Sequence, residues 1–544
     1  MNKPNKQIVI LIVVCFFTYI FHNGVLVPDI MESRNIVTAR EMISDGNWLV
    51  PTMNDVLRLE KPPLPTWIAA AVELVAPDNI CAQRTMTGLA ATMLVIFFFL
   101  FGAFFTKDER YSFISALILC TCYNIILMGR TASWDIYCHA FMMGAIYFLY
   151  KGLTLEGKQT GNFTWAGLML GLSFLSKGPV SFYALLLPFI ICLLIFKKGT
   201  LKGKMGPFLL MIGICIVLSS WWYIYLIVFH PEETMAVIDK ETTAWSNHNV
   251  RPWYYYYQFS LETGVWSILL LVALAFPYWK KKMDNAPKQY LFPLAWMAIL
   301  LFVLSCIPEK KPRYLLPMLI PASYTMGYIF NYWITKCDEL TKTDKKIYRI
   351  NTIAIAFIVT LIPIGIYIFL FTKGHISLLP FIILSLMLMT IAFVLWKTAV
   401  QIKPDGFLAG VVVLFLFTEI MLMPLIGKVA NNTEMRSISA TRDMEQLDNI
   451  PFKYNIANGE PRIEIIYAAY RKISPIDVND AKAVNDALPF VLLTYKDIHE
   501  EVPEEILNDL KVTHIGNFDD NQRPKSARRY NNIFIFDLTL LEKK

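Results

Sequence analysis

Stretches apolar enough to cross a bilayer recur thirteen times in the first 430 residues of this 544-residue chain, near 7–27, 86–106, 111–129, 136–151, 163–177, 179–196, 206–229, 260–278, 290–307, 315–334, 349–372, 378–396 and 406–427. A helix needs roughly 17 to 25 apolar residues to span the hydrocarbon core, and in lipid a backbone must satisfy its own polar groups. The pattern therefore predicts an all-α polytopic membrane protein with about 13 transmembrane helices. Between 136 and 177 the runs are short, so tilted, broken or re-entrant segments are expected there. Composition agrees: 56% of residues are hydrophobic and only 17% are charged, a balance that leaves too little charge for a soluble globular surface.

Other classes fall away. The net charge of +7 is the surplus that basic cytoplasmic loops give any such protein, so no nucleic-acid partner is expected. Most of the nine cysteines sit inside apolar runs without CxxC spacing and read as small core residues. The amino-terminal MNKPNK and the apolar run behind it lead to Phe21, His22 and Asn23, which offer no small-residue cleavage site. They read as an uncleaved anchor.

Lysine and arginine set the orientation. Lys3 and Lys6, Lys107 and Arg110, Lys151 and Lys158, Lys197 to Lys204, Lys280 to Lys288, Lys336 to Arg349, and Lys397 with Lys403 all fall on one side if the amino terminus is cytoplasmic. The 28–85 loop, the 129–135 turn, the 230–259 loop, the IPEKKPRY turn and the tail then face outward. After Met423 the composition turns mixed, and residues 430–544 read as a soluble α/β domain behind a 1–429 membrane domain. Its expected strands are RIEIIYAAY, PFVLLTYK, LKVTHIGNF and NNIFIFDL, and its expected helices DVNDAKAVNDAL and PEEILNDL.

Four outward segments carry charge where spans should be apolar. Pro28–Trp67 holds ten charged residues, Asp29, Glu32 and Arg34 among them. Acids at a membrane edge suit a general base or metal ligand, or simply a solvated helix start. Prolines around Glu60-Lys61-Pro62-Pro63 exclude a helix and present both charges from a rigid turn, which suits a phosphate or a divalent ion; a structural return to the membrane is the alternative. Arg130 and Asp135 border two apolar runs, and Lys177 ends another, at a depth where charge is costly and usually faces a partner or cavity. Finally, WSNHNVRPWYY places His248 in an interfacial aromatic belt, and PEKKPRY puts Lys310, Lys311 and Arg313 beside Tyr314, a pattern of headgroup or phosphate binding.

In this order the segments resemble the GT-C glycosyltransferases that use polyprenyl-phosphate sugars, nearest to the branch of the bacterial lipid A 4-amino-4-deoxy-L-arabinose transferase and its protein-mannosyltransferase-like relatives. The carriers are Glu32, Arg34, Arg40-Glu41-Met42, Gly46-Asn47-Trp48-Leu49-Val50-Pro51, Glu60-Lys61-Pro62-Pro63, Arg130 with Asp135, Lys177-Gly178-Pro179, His248 with Pro252-Trp253-Tyr254-Tyr255, and Lys311-Pro312-Arg313-Tyr314. Met31 stands where the family has an aspartate beside its glutamate, so either Asp29 or Glu32 is left for that role. The resemblance implies Glu60 and His248 as ligands of a divalent metal, zinc in the arabinose-transferring relative, and no nucleotide. It implies Arg34, Lys61, Lys177, Lys310, Lys311, Arg313 and Tyr314 around the lipid phosphate, and Asp29 or Glu32 with Asp135 at the acceptor. The expected partners are an undecaprenyl-phosphate sugar donor, a lipid A, glycan or protein acceptor, and membrane lipid, with the site on the outer face of a bacterial cytoplasmic (inner) membrane.

Two other classes stay open on the residues alone. A lipid or solute transporter calls for ionisable groups at mid-span and paired repeats, and a membrane-anchored scaffold would work through its carboxy-terminal domain.

Overall fold

The computed structural model describes residues 6–197, 199–282, 287–432, 434–525, 527–528 and 530–544. Lys3 and Lys198, two of the lysines counted for orientation, lie outside the described residues. The chain forms two compact units: Met1–Asn23, Leu59–Pro65 and Cys81–Leu425 make the first, and Gly24–Arg58, Thr66–Ile80 and Ile426–Lys544 the second.

The first unit is helical. Among the described residues six helices are long and apolar enough to cross a membrane: Ile80–Thr106, Met205–Phe229, Lys288–Cys306, Lys342–Phe371, Leu378–Gln401 and Pro404–Ala430. Glu109–Cys120 and Tyr123–Gly129, bent by 67°, make a seventh if taken as one span. The chain is a multi-pass membrane protein, but thirteen apolar runs do not give thirteen long helices. The 260–278 run is divided into a 3-10 stretch (Trp253–Trp266), Ser267–Ala273 and Phe276–Lys280, with Gly264 at φ +65° inside the first. The 315–334 run opens as a 3-10 turn, Pro312–Met318, before its α-helix Leu319–Thr335. Proline and glycine interrupt the i to i−4 ladder in both. Inside the unit aromatic rings fill the core: Phe98 stacks on Tyr324 at 3.8 Å, and Phe101 meets Tyr150, Phe189 and Trp296 edge-on.

Asp135–Thr154 and Thr160–Lys177 form a helical hairpin joined by five residues. A connection that short makes the helices antiparallel, so the start of one lies beside the end of the other. Ser173 ties them, its hydroxyl donating to the Cys138 carbonyl at 2.6 Å. Gly178, at φ +69°, ends the second helix just past Lys177.

The second unit is built on a five-stranded sheet of order β4-β3-β5-β7-β6, with β3 (Phe452–Asn455), β4 (Ile473–Ile476), β5 (Phe490–Thr494), β6 (Leu510–Asp519) and β7 (Ile535–Lys543). β3 pairs in parallel with β4 and β5, while β7 runs antiparallel to β5 and β6. A two-residue hairpin, β1 (Thr52–Met53) with β2 (Val56–Leu57), precedes them. The RIEIIYAAY stretch expected as a strand is the helix Ile463–Ala469. Its buried Ile463, Ile466 and Ala469 recur at helical spacing, and they join Phe452, Val491, Phe518 and Phe536 in one core. Val37, from the Ile30–Ser44 helix of the opening loop, sits in that same core. Pro475 lies in β4, an edge strand, where its missing N–H costs no ladder bond. Asn54 covers this edge: its amide donates to the Ile473 carbonyl at 2.8 Å and accepts from the Ile473 N–H at 2.9 Å.

Candidate functional site

The helical hairpin fixes the first pair of charges. Asp135 begins its helix and Lys177 ends the neighbouring one, each at the helix terminus whose dipole favours its sign. Antiparallel packing brings them into a salt bridge, and both side chains are buried. The Lys177 ammonium also lies 5.4 Å from the centre of the Tyr314 ring, within cation–π range. Arg313, His139, Cys138, Tyr183 and Tyr314 are further titratable neighbours of Asp135.

Tyr314 is held from the other side. Pro312 starts a 3-10 turn after Lys311, whose backbone is extended, so Lys311, Arg313 and Tyr314 project from a rigid corner. Lys311 and Arg313 stand 5.7 and 5.9 Å from the Tyr314 ring. Glu309 accepts from the Tyr314 hydroxyl at 3.3 Å and pairs with Lys311 at 2.5 Å. Burial and the Glu309 charge push the Tyr314 phenol above its ordinary range.

Lys61 completes the group. The proline turn presents it to Glu241 at 3.5 Å, while Glu60 accepts from Lys240 at 2.9 Å. Both partners belong to the Pro231–Asn247 helix. Burial and the repulsion of Lys177 hold the Lys61 ammonium below its usual range, against the pull of Glu241 and Glu60. Cations with lowered affinity for their own protons are the ones that gain most from an added anion.

A backbone bridge fastens the His248 loop to this corner. Val250 and Glu309 pair antiparallel, the Arg251 N–H donates to the Pro308 carbonyl at 3.2 Å, and the Lys310 N–H to Asn249 at 3.2 Å. His248 itself is exposed. Lys310, expected at the phosphate, is buried instead, and its ammonium is taken by the carbonyls of Ile307 and Arg251. It works as a latch between the two loops. Arg130 is likewise spent, on Glu419 at 3.0 Å and on the carbonyls of Thr18 and His22.

As donors for a divalent ion, Glu60 and His248 are a sparse set. Glu60 is engaged by the exposed Lys240, and among the described residues no third acid, cysteine or histidine joins them in a ligand-sized group. Among the described residues the one such group is Glu41, Asp45 and Asp55 in the second unit. There Lys472 pairs with Asp45 and Asp55 at 2.8 and 2.5 Å, while Glu41 accepts from Thr52 and from the N–H of Asn54 and Asp55. An ammonium already occupies the centre of that group.

The opening-loop acids lie in the second unit. Asp29 caps the Ile30–Ser44 helix, accepting from the Met31 and Glu32 N–H groups at 2.8 and 2.9 Å, and Glu32 reaches back to the Asp29 N–H at 3.0 Å. This is a complete capping box, with Glu32 buried at the start of the helix. Arg34 lends its backbone carbonyl to Arg58 and presents its side chain from the same helix. A cavity of about 600 Å³ in this unit is lined by Val37, Ile43, Leu74, Ile466 and Tyr470 together with charged groups. Of these, Arg40 is bound to Glu73 and Asp78, and Lys472 to Asp45.

Sequence reasoning thus missed Glu241, Lys240 and Glu309. Each stands inside a segment it had singled out, and alternation of sign beside a lysine was the available signal.

Known proteins resemble this chain in sequence and in fold. The family described as dolichyl-phosphate-mannose-protein mannosyltransferase matches residues 60–224, which contain Glu60, Lys61, Asp135 and Lys177. An uncharacterized protein of Aquifex aeolicus is 27% identical over 58% of this chain and 62% of its own length. An undecaprenyl phosphate-alpha-4-amino-4-deoxy-L-arabinose arabinosyl transferase of Proteus mirabilis is 25% identical over 73% of this chain and 71% of its own. Across these and similar relatives the chain spans between 54% and 71% of their length. The crystal structure of ArnT from Cupriavidus metallidurans bound to undecaprenyl phosphate superposes with a TM-score of 0.68 over 98% of this chain and 97% of that one, at 14% identity, and so shares the fold. Family match, relatives and fold all liken the chain to membrane glycosyltransferases of the arabinosyl transferase and protein mannosyltransferase type.

Proposed function

We propose that the chain transfers a sugar from a polyprenyl phosphate, undecaprenyl phosphate in bacteria, to an acceptor at the outer face of the cytoplasmic membrane, and that lipid A is the acceptor class. The observation that carries this reading is the meeting of Lys177, Lys311 and Arg313 around Tyr314, with Lys61 close enough to Lys177 for the two ammonium groups to repel, within one unit. The relatives named for 4-amino-4-deoxy-L-arabinose transfer support the sugar and the acceptor.

In such a donor the phosphate is the leaving group. The bond from the anomeric carbon to the phosphate oxygen breaks, its electron pair stays on the phosphate, and the acceptor oxygen closes a new bond from the opposite face, inverting the centre. Negative charge on the phosphate grows along this path, so the cations stabilise the transition state more than the ground state. Lys61, Lys311 and Lys177 now face Glu241, Glu309 and Asp135, and the incoming phosphate exchanges these carboxylates for itself. Because the group is preorganised, little rearrangement is needed at the moment of transfer. By resemblance Glu60 and His248 would be the ligands of a divalent ion able to supply Lewis-acid stabilisation of the phosphate, but two donors, one of them engaged by Lys240, make an incomplete set among the described residues. A hydroxyl acceptor must lose its proton to a base, whereas a phosphate acceptor needs only orientation.

A protein or glycan acceptor is the second reading, favoured by the mannosyltransferase family match over residues 60–224. Incubating the purified protein with a panel of polyprenyl-phosphate sugars and with lipid A, peptide and glycan acceptors, read by mass spectrometry, decides between them. Lys61→Ala and Glu60→Ala are each expected to abolish transfer while leaving folded protein, and full activity in both overturns the reading.

A further inference from the structure

The first two turns of the Lys342–Ile366 helix carry Lys342, Lys345, Lys346 and Arg349, a spacing of i, i+3, i+4 and i+7 that puts all four on one face. Lys342, Lys346 and Arg349 are exposed and Lys345 is half-buried. Ile350 and Ile353 continue the face and frame, with the four cations, a shallow hollow of about 440 Å³. Farther along, Phe357, Leu361 and Ile364 extend an exposed apolar stripe down a helix long enough to span the bilayer.

Among the described residues no ion pair balances this charge. The one acid of the first turn, Asp344, is buried and already held by Lys282, Tyr278 and Thr341. None of the four cations pairs with a carboxylate among the described residues, and Arg349 reaches only the Val400 carbonyl, at 3.2 Å. Like charges at i, i+4 repel, and cations near the amino end of a helix oppose its dipole. An anion docked on the face relieves both.

We propose that this face binds the anionic headgroup of a bilayer phospholipid, with the phosphate among Lys342, Lys345, Lys346 and Arg349 and the acyl chains along Ile350, Ile353 and Phe357. Direct continuity from cations into an apolar stripe favours a lipid over a soluble polyanion or an acidic peptide. The site is distinct from the donor phosphate site. Lys282, which binds Asp344, also lies 3.4 Å from the Tyr332 hydroxyl near the end of the Leu319–Thr335 helix. Tyr314 stands just before that helix begins, and its 17 residues separate the two by about 25 Å. Lysine and arginine counts assign the patch to the cytoplasmic face, opposite the proposed chemistry.

Native mass spectrometry of the full chain in detergent, titrated with phosphatidylglycerol or phosphatidylcholine, tests this. Wild type is expected to retain phosphatidylglycerol selectively. The triple variant Lys342→Gln, Lys345→Gln, Lys346→Gln should bind it at least roughly tenfold more weakly, and the control Lys197→Gln, Lys202→Gln should bind as wild type does. Equal affinity for the two lipids in wild type overturns the proposal without any variant. So does an equal loss in control and triple variant, which means generic interfacial charge, and so does displacement by millimolar glycerophosphate, which means that the chains play no part.

Discussion

Two regions of this protein gather charged side chains, and they use them in opposite ways. In the second unit the charges of the opening loop close on one another. Arg40 holds Glu73 and Asp78, Lys472 holds Asp45 and Asp55, and Asp29 with Glu32 caps a helix. In the first unit Lys177, Lys311 and Arg313 gather around one tyrosine and Lys61 stands within repulsion of Lys177, so cations outnumber what their carboxylate partners require for a neutral core. Charge density alone therefore does not mark a site. What marks one is a same-sign group held together by the fold against its own repulsion.

Breaking the buried pair gives the largest expected effect. Asp135→Ala strands the Lys177 ammonium and should cost roughly 3–5 kcal/mol of stability, as losing one partner of a buried ion pair generally does, and thermal unfolding checks it. Lys177→Met with Asp135→Leu, which removes both charges, should recover most of that stability while transfer stays lost. Next, Tyr314→Phe keeps the ring and removes the Glu309 contact; a rate loss of about tenfold with unchanged melting temperature is expected from steady-state kinetics. In the other unit, Asp29→Ala is expected to cost about 1 kcal/mol through the lost cap and to leave the rate within twofold. A collapse of the rate in folded Asp29→Ala, or in Glu32→Gln, would move the acceptor base into the opening loop.

The smallest effect is a pH dependence. Asp520 is buried in the second unit, and burial pushes its carboxyl up to about 6, against bonds from Ser437 and the Ile438 N–H. A raised carboxyl stabilises the fold in its protonated form, so this contribution is fully present below the unfolded value near 3.8 and is lost as pH rises through about 6. Asp520→Asn should accordingly raise the melting temperature relative to wild type at pH 7–8 by roughly 2–4 °C, and the gain should shrink toward pH 4.

Much of this was legible in the chain. Apolar runs announced a multi-pass helical protein, and the order of short motifs picked out Lys61, Asp135, Lys177, Lys311 and Tyr314 before any geometry was known. Other features escaped because they depend on contacts distant in sequence. That Asn54 would cover the edge of β4, or that Val37 would enter a core more than 400 residues away, leaves no periodic trace. Ile463–Ala469 looked like a strand because a short apolar run has no period of its own, and only packing decides between helix and strand. Lys310 and Lys311 are indistinguishable as letters; the β-bridge at Glu309 turns one inward to carbonyls and the other toward Tyr314.

The most direct test pairs one lysine from each region in a single transfer assay. With a polyprenyl-phosphate sugar as donor and equal amounts of folded protein, Lys61→Ala should lose transfer by a hundredfold or more, roughly the worth of one preorganised charge at a developing anion, while Lys472→Ala should keep its rate within twofold. An active Lys61→Ala beside an inactive, folded Lys472→Ala would contradict the assignment of the chemistry to the first unit.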